Sequence, residues 1–527
     1  MTSNITHVNN WPNAAGFDDL EDTKFPVELH VTGTIPSYIF GTLLRTGPGS
    51  YKVPAESNGK AFKVTHWFDG FSQHHKFNIS PPSAEFPRGR VTYRSRSGAD
   101  LLKKRIAKHG GSPDVGSFNY QDPCKTKFSK FFTKYHQSTL PGESNIGVTI
   151  NPYFPKPMSD ESDLVTKTDA NVLSKLNKDT LEVEEVFTWS KFHKQLDGPL
   201  SAAHSCFDNG EEFNYVLKFG KTPLYTVFGL DRSLNMKIYA RIPVERASYV
   251  HSFFLTKKYI ILAVWQAYYT FNGFSFLWNQ NILDCINSKW DPKKKTKWYL
   301  VPRDGSASEN HSKVKMFESD PFFSFHSINS WDDGDNVFVD LAQFDNHSIL
   351  WQFTVEKLRS DTASRPLPLD IAGGYVRWKL PNVSKTSWKN PGAAVVDGRV
   401  RNKQNNIELP VMNNTMSLRP ERYVYGVNFT GVSSFFERLI KLDVRSFETT
   451  TWFEEGCTPS EPIFVSNPNG TEEDDGVLLS VVLDGYKNRS MLVILDAKTF
   501  KEVARAGLPE KKIVGFGFHG SFAKTIN

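Results

Sequence analysis

From Phe25 onward the chain is a succession of short apolar or alternating runs cut by Gly, Pro, Asn and Asp. KIYARIPV (237–244), YIILAVW (259–265), NVFVDLAQF (336–344), GVLLSVVLD (476–484) and SMLVILDA (490–497) are rich in β-branched and aromatic residues. Such runs suit strands of a pleated sheet, and the dipeptides Asp333-Gly334, Asp397-Gly398, Asn469-Gly470 and Asp484-Gly485 supply turns between them. No alternation of strand and long helix is present, so the expectation is an all-β protein.

Three phrases echo one another: LNKDTLEV (176–183), LDVRSFETT (442–450) and LDAKTFKEV (495–503). Each reads as a strand end, a polar turn and a second strand. Repeated sheet units of this kind point to a β-propeller, which manages its sheet edges by radial repetition; a large β-sandwich is the other reading. No domain-sized linker interrupts the pattern. The expected organisation is a flexible N-terminal lead over residues 1–24 and a single domain over 25–527.

Two stretches break the strand text. Ala99 to Tyr135 can hold helical turns. AYYTFNGFSFLWNQNILDCINSKW (267–290) is aromatic, weakly charged and followed by DPKKKTKW. As core it is unremarkable. As a surface loop it would place Phe271, Phe274, Phe276, Leu277 and Trp278 in an apolar patch beside lysines, a signature of membrane contact.

Composition narrows the classes. Phe contributes 41 residues of 527, enough for an aromatic-lined cavity or an aromatic-rich core. A net charge of +6 without a long Lys/Arg tract gives no footprint for nucleic acid. The four cysteines, Cys124, Cys206, Cys285 and Cys457, form no CxxC pair and no disulfide scaffold. The N-terminal text lacks an apolar signal core, and no apolar run is long enough to span a bilayer. A cytoplasmic protein, peripherally associated with membranes or lipid bodies, is the resulting expectation.

Chemistry enters through histidine. Most of the 14 histidines, among them His74, His75 and His347, lie in polar text and are expected to be solvated. His204 in PLSAAHSCFD, His251 in SYVHSFFLT, His326 in FFSFHSINSWDDGD and His519 in IVGFGFHGSF lie among apolar, aromatic or small residues. Each alone reads as an ordinary core histidine. Together, spaced 47, 75 and 193 residues apart, they match no local metal motif but can form a ring of ligands, one from each of several blades. Four imidazoles suit iron, copper or zinc. Ligating histidines need their second ring nitrogen held, and Asp169, Glu408 and Glu461 are candidate acids in strand-like text.

These four contexts, with RTGPGSYKV (45–53), HWFDGFSQHHKF (66–77), IELPVMN (407–413) and SEPIFVSN (460–467), resemble the carotenoid cleavage oxygenase family from about Phe25 to Phe522. The resemblance implies a seven-bladed β-propeller with a helical and loop cap over one end. It implies a non-haem Fe(II) held by His204, His251, His326 and His519, with O2 as co-substrate. The family's acids behind the ligands are three glutamates; Glu408 and Glu461 match two, and Asp169, one methylene shorter, stands at the third, opposite His251. YQDPCKTKFSKFF (120–132) is similar to a loop that, with segment 267–297, touches the membrane in relatives, so contact is expected near 112–135 as well. NIGVTINPYFP (145–155) and LVTKTDANV (164–172) look most like fungal torulene-cleaving and retinal-forming enzymes, which makes a carotenoid or apocarotenoid the expected substrate. Stilbene-cleaving relatives carry a Lys immediately before the acid that stands at Asp169 here; Thr168 occupies that place in this chain. The implied alternatives are retinal-forming cleavage of β-carotene, stilbene cleavage, ester isomerohydrolysis or, from another class, a non-enzymatic propeller that binds proteins.

Overall fold

The computed structural model describes residues 11–56, 61–109, 139–155, 162–279, 281–363, 373–402 and 404–525. Seven sheets, antiparallel but for the short edge strand Gly392–Ala393 beside Lys315–Ser319 and each centred on four strands, follow one another as propeller blades, with a two-stranded ribbon (Lys52–Val53 and Phe62–Lys63) beside them. The second blade runs from Thr149–Phe154 to Val183–Phe187, the third from Leu200–Ser201 to Met236–Pro243, and the fourth from Phe254–Leu255 to Lys315–Ser319. The fifth runs from Ser327–Asp333 to Val395–Val400, the sixth from Glu408–Val411 to Thr449–Trp452, and the seventh from Cys457–Pro459 to Glu502–Gly507. In the second to seventh blades a first strand lies at the inner end, and in the first blade the closing strand His519–Lys524 takes that place.

The ring is closed twice. The final strand, His519–Lys524, pairs antiparallel with Gly41–Ser50 in the first blade, from His519 opposite Thr46 to Lys524 opposite Gly41. Near the other end of the chain, His30–Gly33 pairs with Glu502–Gly507 at the rim of the seventh blade. Each end thus crosses the seam and covers a sheet edge that would otherwise be open. Strands sandwiched between blades are buried on both faces; Gly476–Asp484 is buried at every position, which is why its sequence is continuously apolar rather than alternating.

The three echoing phrases occupy the same place in their blades, the turn between third and fourth strands. Leu181, Phe447 and Phe500 adopt left-handed backbone (φ 63°, 61° and 58°). Their N–H groups donate to the carbonyls of Asn177, Asp443 and Asp496, four residues back, at 2.8–2.9 Å. The side chains of those Asn and Asp residues cap the same turns, accepting from Thr180, Ser446 and Thr499 N–H. Leu234 (φ 65°), in the third blade's phrase LDRSLN, repeats the device in a shorter form.

Three expectations need correction. Residues 11–24 are packed, not a loose lead. Trp11 is buried and donates to Thr458 Oγ1 (3.0 Å), Asn13 donates to Ser434 Oγ (2.9 Å), and Phe17 lies edge-on to Phe435 and Phe516. Two aromatic anchors in otherwise polar text are enough to tie it down. His74, His75 and His347 are buried rather than solvated: the strand Phe71–Ser80 is covered on both faces at His74 and His75, and His347 Nε2–H donates to the Asn287 carbonyl (2.6 Å). In the aromatic segment, Phe271 and Phe274 are 69% and 51% exposed, but Phe276 is buried against Phe219 and Tyr269. The side chains of Leu277 and Trp278 lie outside the described residues, as does the stretch near 112–135. Of the expected helical turns, Asp100–His109 is an α-helix.

Short helices and loops pack on one another over one end of the axis. His66–Asp69 is tied to the His347–Leu358 region through Trp67 N–H to the Phe353 carbonyl (2.8 Å) and Val355 N–H to the Thr65 carbonyl (2.8 Å). Phe68, Phe325, Phe353 and Phe518 meet there with ring centroids 5.3–6.0 Å apart. Among the described residues no helix is long and apolar enough to cross a membrane.

Candidate metal centre

His204, His251 and His326 sit on or beside the innermost strands of the third, fourth and fifth blades, and His519 opens the closing strand of the first. Their ring nitrogens lie within 4.8 Å of one another. Glu408 opens the innermost strand of the sixth blade, Glu461 lies between the inner strands of the seventh, and Asp169 lies between the second and third strands of the second. Every blade therefore sends one chemistry-bearing side chain to the axis, and all seven of the residues singled out in the sequence converge.

Three rings are held by carboxylates. His326 Nδ1–H donates to Glu408 Oε2 (2.6 Å) and His519 Nδ1–H to Glu461 Oε1 (2.7 Å). His251 Nδ1–H reaches Asp169 Oδ1 (2.8 Å) directly, so the shorter acid closes the contact without an intermediary. Tyr249, whose hydroxyl donates to Asp169 Oδ2 (2.8 Å), braces that carboxylate against the ring. Other donors add to two of these carboxylates. Glu461 Oε2 accepts from Arg45 Nη1 (3.0 Å) and Gly520 N–H (2.8 Å), and Glu408 Oε2 accepts from Leu409 N–H (2.8 Å). Leu409 adopts a left-handed backbone (φ 46°), strain placed where its N–H must turn back on the carboxylate. A Cβ on Gly520 would stand 2.6 Å from Arg45 Cδ and 2.7 Å from the Leu44 carbonyl, so only glycine lets the closing strand lie this close.

These bonds fix the chemistry of the centre. In a neutral ring whose Nδ1–H is committed to a carboxylate, Nε2 carries a lone pair and no proton, and Nε2 of His326 and of His519 lie 3.3 Å apart. Two acceptors facing each other repel unless a cation lies between them. His204 Nε2 lies 3.0 Å from His519 Nε2. Burial, followed by the neighbouring imidazoles, holds His204 and His519 well below the usual imidazole range. The donor set fits a borderline divalent metal. Burial pushes Glu461 up to about 7, with Arg45 pulling in the opposite direction.

Arg45 and Tyr249 were not visible as functional residues in the sequence. The one signal for Arg45 is a charged residue inside the apolar run GTLLRTGPG; Tyr249 looks like any core aromatic.

A propeller with a four-histidine cluster at its axis, three of the rings backed by acids, is a metalloprotein architecture. The family model of retinal pigment epithelial membrane protein matches residues 17–524, and the chain belongs to that family, the carotenoid cleavage oxygenases; it is an oxidoreductase of that family. It is 32% identical to a carotenoid dioxygenase of Neurospora crassa over 97% of this chain and 91% of the relative. It is 32% identical to a torulene dioxygenase of Gibberella fujikuroi over 99% of this chain and 95% of the relative. Among solved structures, a variant of Synechocystis apocarotenoid oxygenase superposes with a TM-score of 0.76 at 21% identity, covering 99% of this chain and 100% of that one. The cobalt-substituted form superposes with a TM-score of 0.73 at 22% identity, covering 98% of each chain.

Proposed function

We propose that this protein is a non-haem Fe(II) dioxygenase that uses O2 to cleave one double bond of a carotenoid or apocarotenoid, with a torulene-like polyene favoured. The observation that carries the reading is the convergence of His204, His251, His326 and His519 on one point, with Nε2 of His326 and of His519 facing each other. His204, His251, His326 and His519 would hold the iron, and Asp169, Glu408 and Glu461 would fix three of the rings. Iron in this site supplies the electron exchange that lets O2 react with a carbon–carbon double bond. One oxygen atom goes to each carbon, giving two aldehydes or an aldehyde and a ketone, with no external reductant.

The rest falls to this chain's own residues. A polyene offers almost no polar handle, so Phe68, Phe325, Phe353 and Phe518 would bind it through apolar area. Burying about 400 Å² at roughly 25 cal/mol per Å² contributes on the order of 10 kcal/mol before the costs of binding. Register against these rings would choose the bond that is cleaved. Since carbon receives both oxygen atoms, no side chain has to act as general acid or base. A substrate of this kind partitions into lipid, and exposed Phe271 and Phe274, with exposed Lys293 and Lys295 nearby, are suited to dip into a bilayer surface as a peripheral anchor. A phenolic stilbene is disfavoured because Thr168 stands where such relatives carry a lysine and the nearby Lys167 is engaged by Glu212 (2.5 Å).

The test is incubation of the iron-loaded protein with torulene, β-carotene, an apocarotenal and resveratrol, followed by product chromatography. Aldehyde products from torulene are expected. Turnover of resveratrol alone would overturn the substrate class, and a protein that takes up no iron and turns over none of the four would return to the binding-module reading.

A further inference from the structure

His204 is the one ligand candidate whose ring has no carboxylate partner among the described residues, and something else must hold it. Its neighbours in the chain are gripped one by one. Ala202 N–H donates to Asn214 Oδ1 (3.1 Å), and Asn214 Nδ2 donates to the Ala202 carbonyl (3.0 Å). The Ala203 carbonyl accepts from Thr149 Oγ1 (2.8 Å). On the other side of His204, Ser205 Oγ accepts from Asn214 Nδ2 (2.9 Å) and from the ammonium of Lys167 (2.7 Å). Lys167 also pairs with Glu212 Oε1 at 2.5 Å, and the two side chains are 4% and 2% exposed.

We propose that the buried Lys167–Glu212 ion pair is a positioning device for His204, fixing that ligand through the Ser205 hydroxyl where the other three rings use a carboxylate. The inference rests on the reading of the four histidines as a metal site. A buried ion pair is a poor way to stabilise a fold, since apolar residues of similar volume usually serve as well or better. Its value is directional: an ammonium fixed by Glu212 presents a donor at one place, and Ser205 Oγ occupies it. Glu212 lies opposite Phe207 on the hairpin that follows Ser205, so the pair ties the third blade to Lys167 of the second. Lys167 lies two residues before Asp169. One strand end of the second blade therefore addresses two neighbouring ligands, His251 through Asp169 and His204 through Lys167 and Ser205.

The test uses Co(II) alone as probe on the full-length, metal-stripped protein, reading affinity by competition with a chelator and geometry by the visible cobalt spectrum. In Lys167→Met/Glu212→Leu both charges are removed together, so no unpaired charge is left behind. Cobalt affinity is expected to fall at least tenfold with a changed spectrum, while the thermal unfolding temperature stays near that of the unaltered protein. Ser205→Ala leaves the ion pair intact and is expected to shift affinity and spectrum in the same direction by a smaller factor, with Ser205→Thr restoring both. Unaltered affinity and spectrum in Ser205→Ala and in the double variant would overturn the inference; if the double variant does not fold, Ser205→Ala decides alone. Should the unaltered protein bind no cobalt, the metal-centre reading falls first and this inference with it.

Discussion

His326 and His204 stand across the same cluster from each other, their ring centroids 5.3 Å apart, and the protein holds them in opposite ways. His326 is held by its ring: Nδ1–H points at Glu408 Oε2, 2.6 Å away, and the tautomer is set by that bond. His204 is held by its peptide neighbours, with Asn214, Thr149 and Lys167 gripping residues 202, 203 and 205. A ring bond fixes orientation and raises the basicity of the other nitrogen. A peptide grip fixes position and leaves the orientation of the ring to the three imidazoles packed against it. The cluster thus combines three oriented donors with one placed donor, and the placed one is the least buried of the four.

The most severe way to break this arrangement is to delete residues 518–527. The strand that brings His519 is also the strand that closes the first blade, so metal and ring closure are lost together. Iron analysis is expected to show none, with a large fall in thermal unfolding temperature. His326→Ala is expected to abolish iron binding while leaving the fold measurable by circular dichroism; full iron and activity in that variant would end the ligand reading.

Glu408→Gln comes next. The glutamine carbonyl still accepts from Nδ1–H, but the charge that raises ring basicity is gone, and metal affinity should fall about 10–100-fold. A larger loss than in Ser205→Ala would bear out the contrast between ring-held and peptide-held ligands, and equal losses would erase it.

Acid probes how firmly the buried imidazoles stay neutral. Phe68 N–H donates to His66 Nδ1 and His66 Nε2–H donates to the Leu350 carbonyl, so the neutral ring is fully used. Burial lowers His66 to about 4. A native pKa below the unfolded value means stability present above about 6.5 is lost as pH falls toward 4, roughly 3 kcal/mol for this residue. Glu437, which burial pushes up to about 7, acts in the opposite sense, losing stability as pH rises from the ordinary carboxylate range. The informative quantity is therefore the difference between His66→Asn and the unaltered metal-free protein. Urea midpoints at pH 7.5 and 4.5 should fall less steeply in the variant; identical slopes would show that His66 is not the source.

Tyr249→Phe is the mildest change. It removes one hydrogen bond to Asp169 and is expected to cost about 1 kcal/mol of stability, with a few-fold loss of metal affinity through His251.

Much of this was written in the chain itself. Short β-rich runs and turn dipeptides state the fold class, because strand and turn preferences act over a few residues. The phrases around Leu181, Phe447 and Phe500 repeat because each blade must make the same left-handed turn with the same capping Asn or Asp. The four histidines and three acids could be singled out because charged and ligating side chains are conspicuous in apolar or small-residue text. What local text could not carry was direction. Phe276 reads like Phe271 and Phe274, yet it turns inward; His74 and His75 read as solvated, yet both faces of their strand are covered by neighbouring blades. Residues 11–24 read as a loose lead because two anchors, Trp11 and Phe17, find their partners hundreds of residues away. Likewise, that Asp169 reaches His251 directly, and that Lys167 reaches Ser205, depends on how the second blade sits against its neighbours. Side-chain chemistry is local and can be read from the sequence. Which groups meet at the axis is set by the closing of the ring, a long-range constraint that only the tertiary structure satisfies.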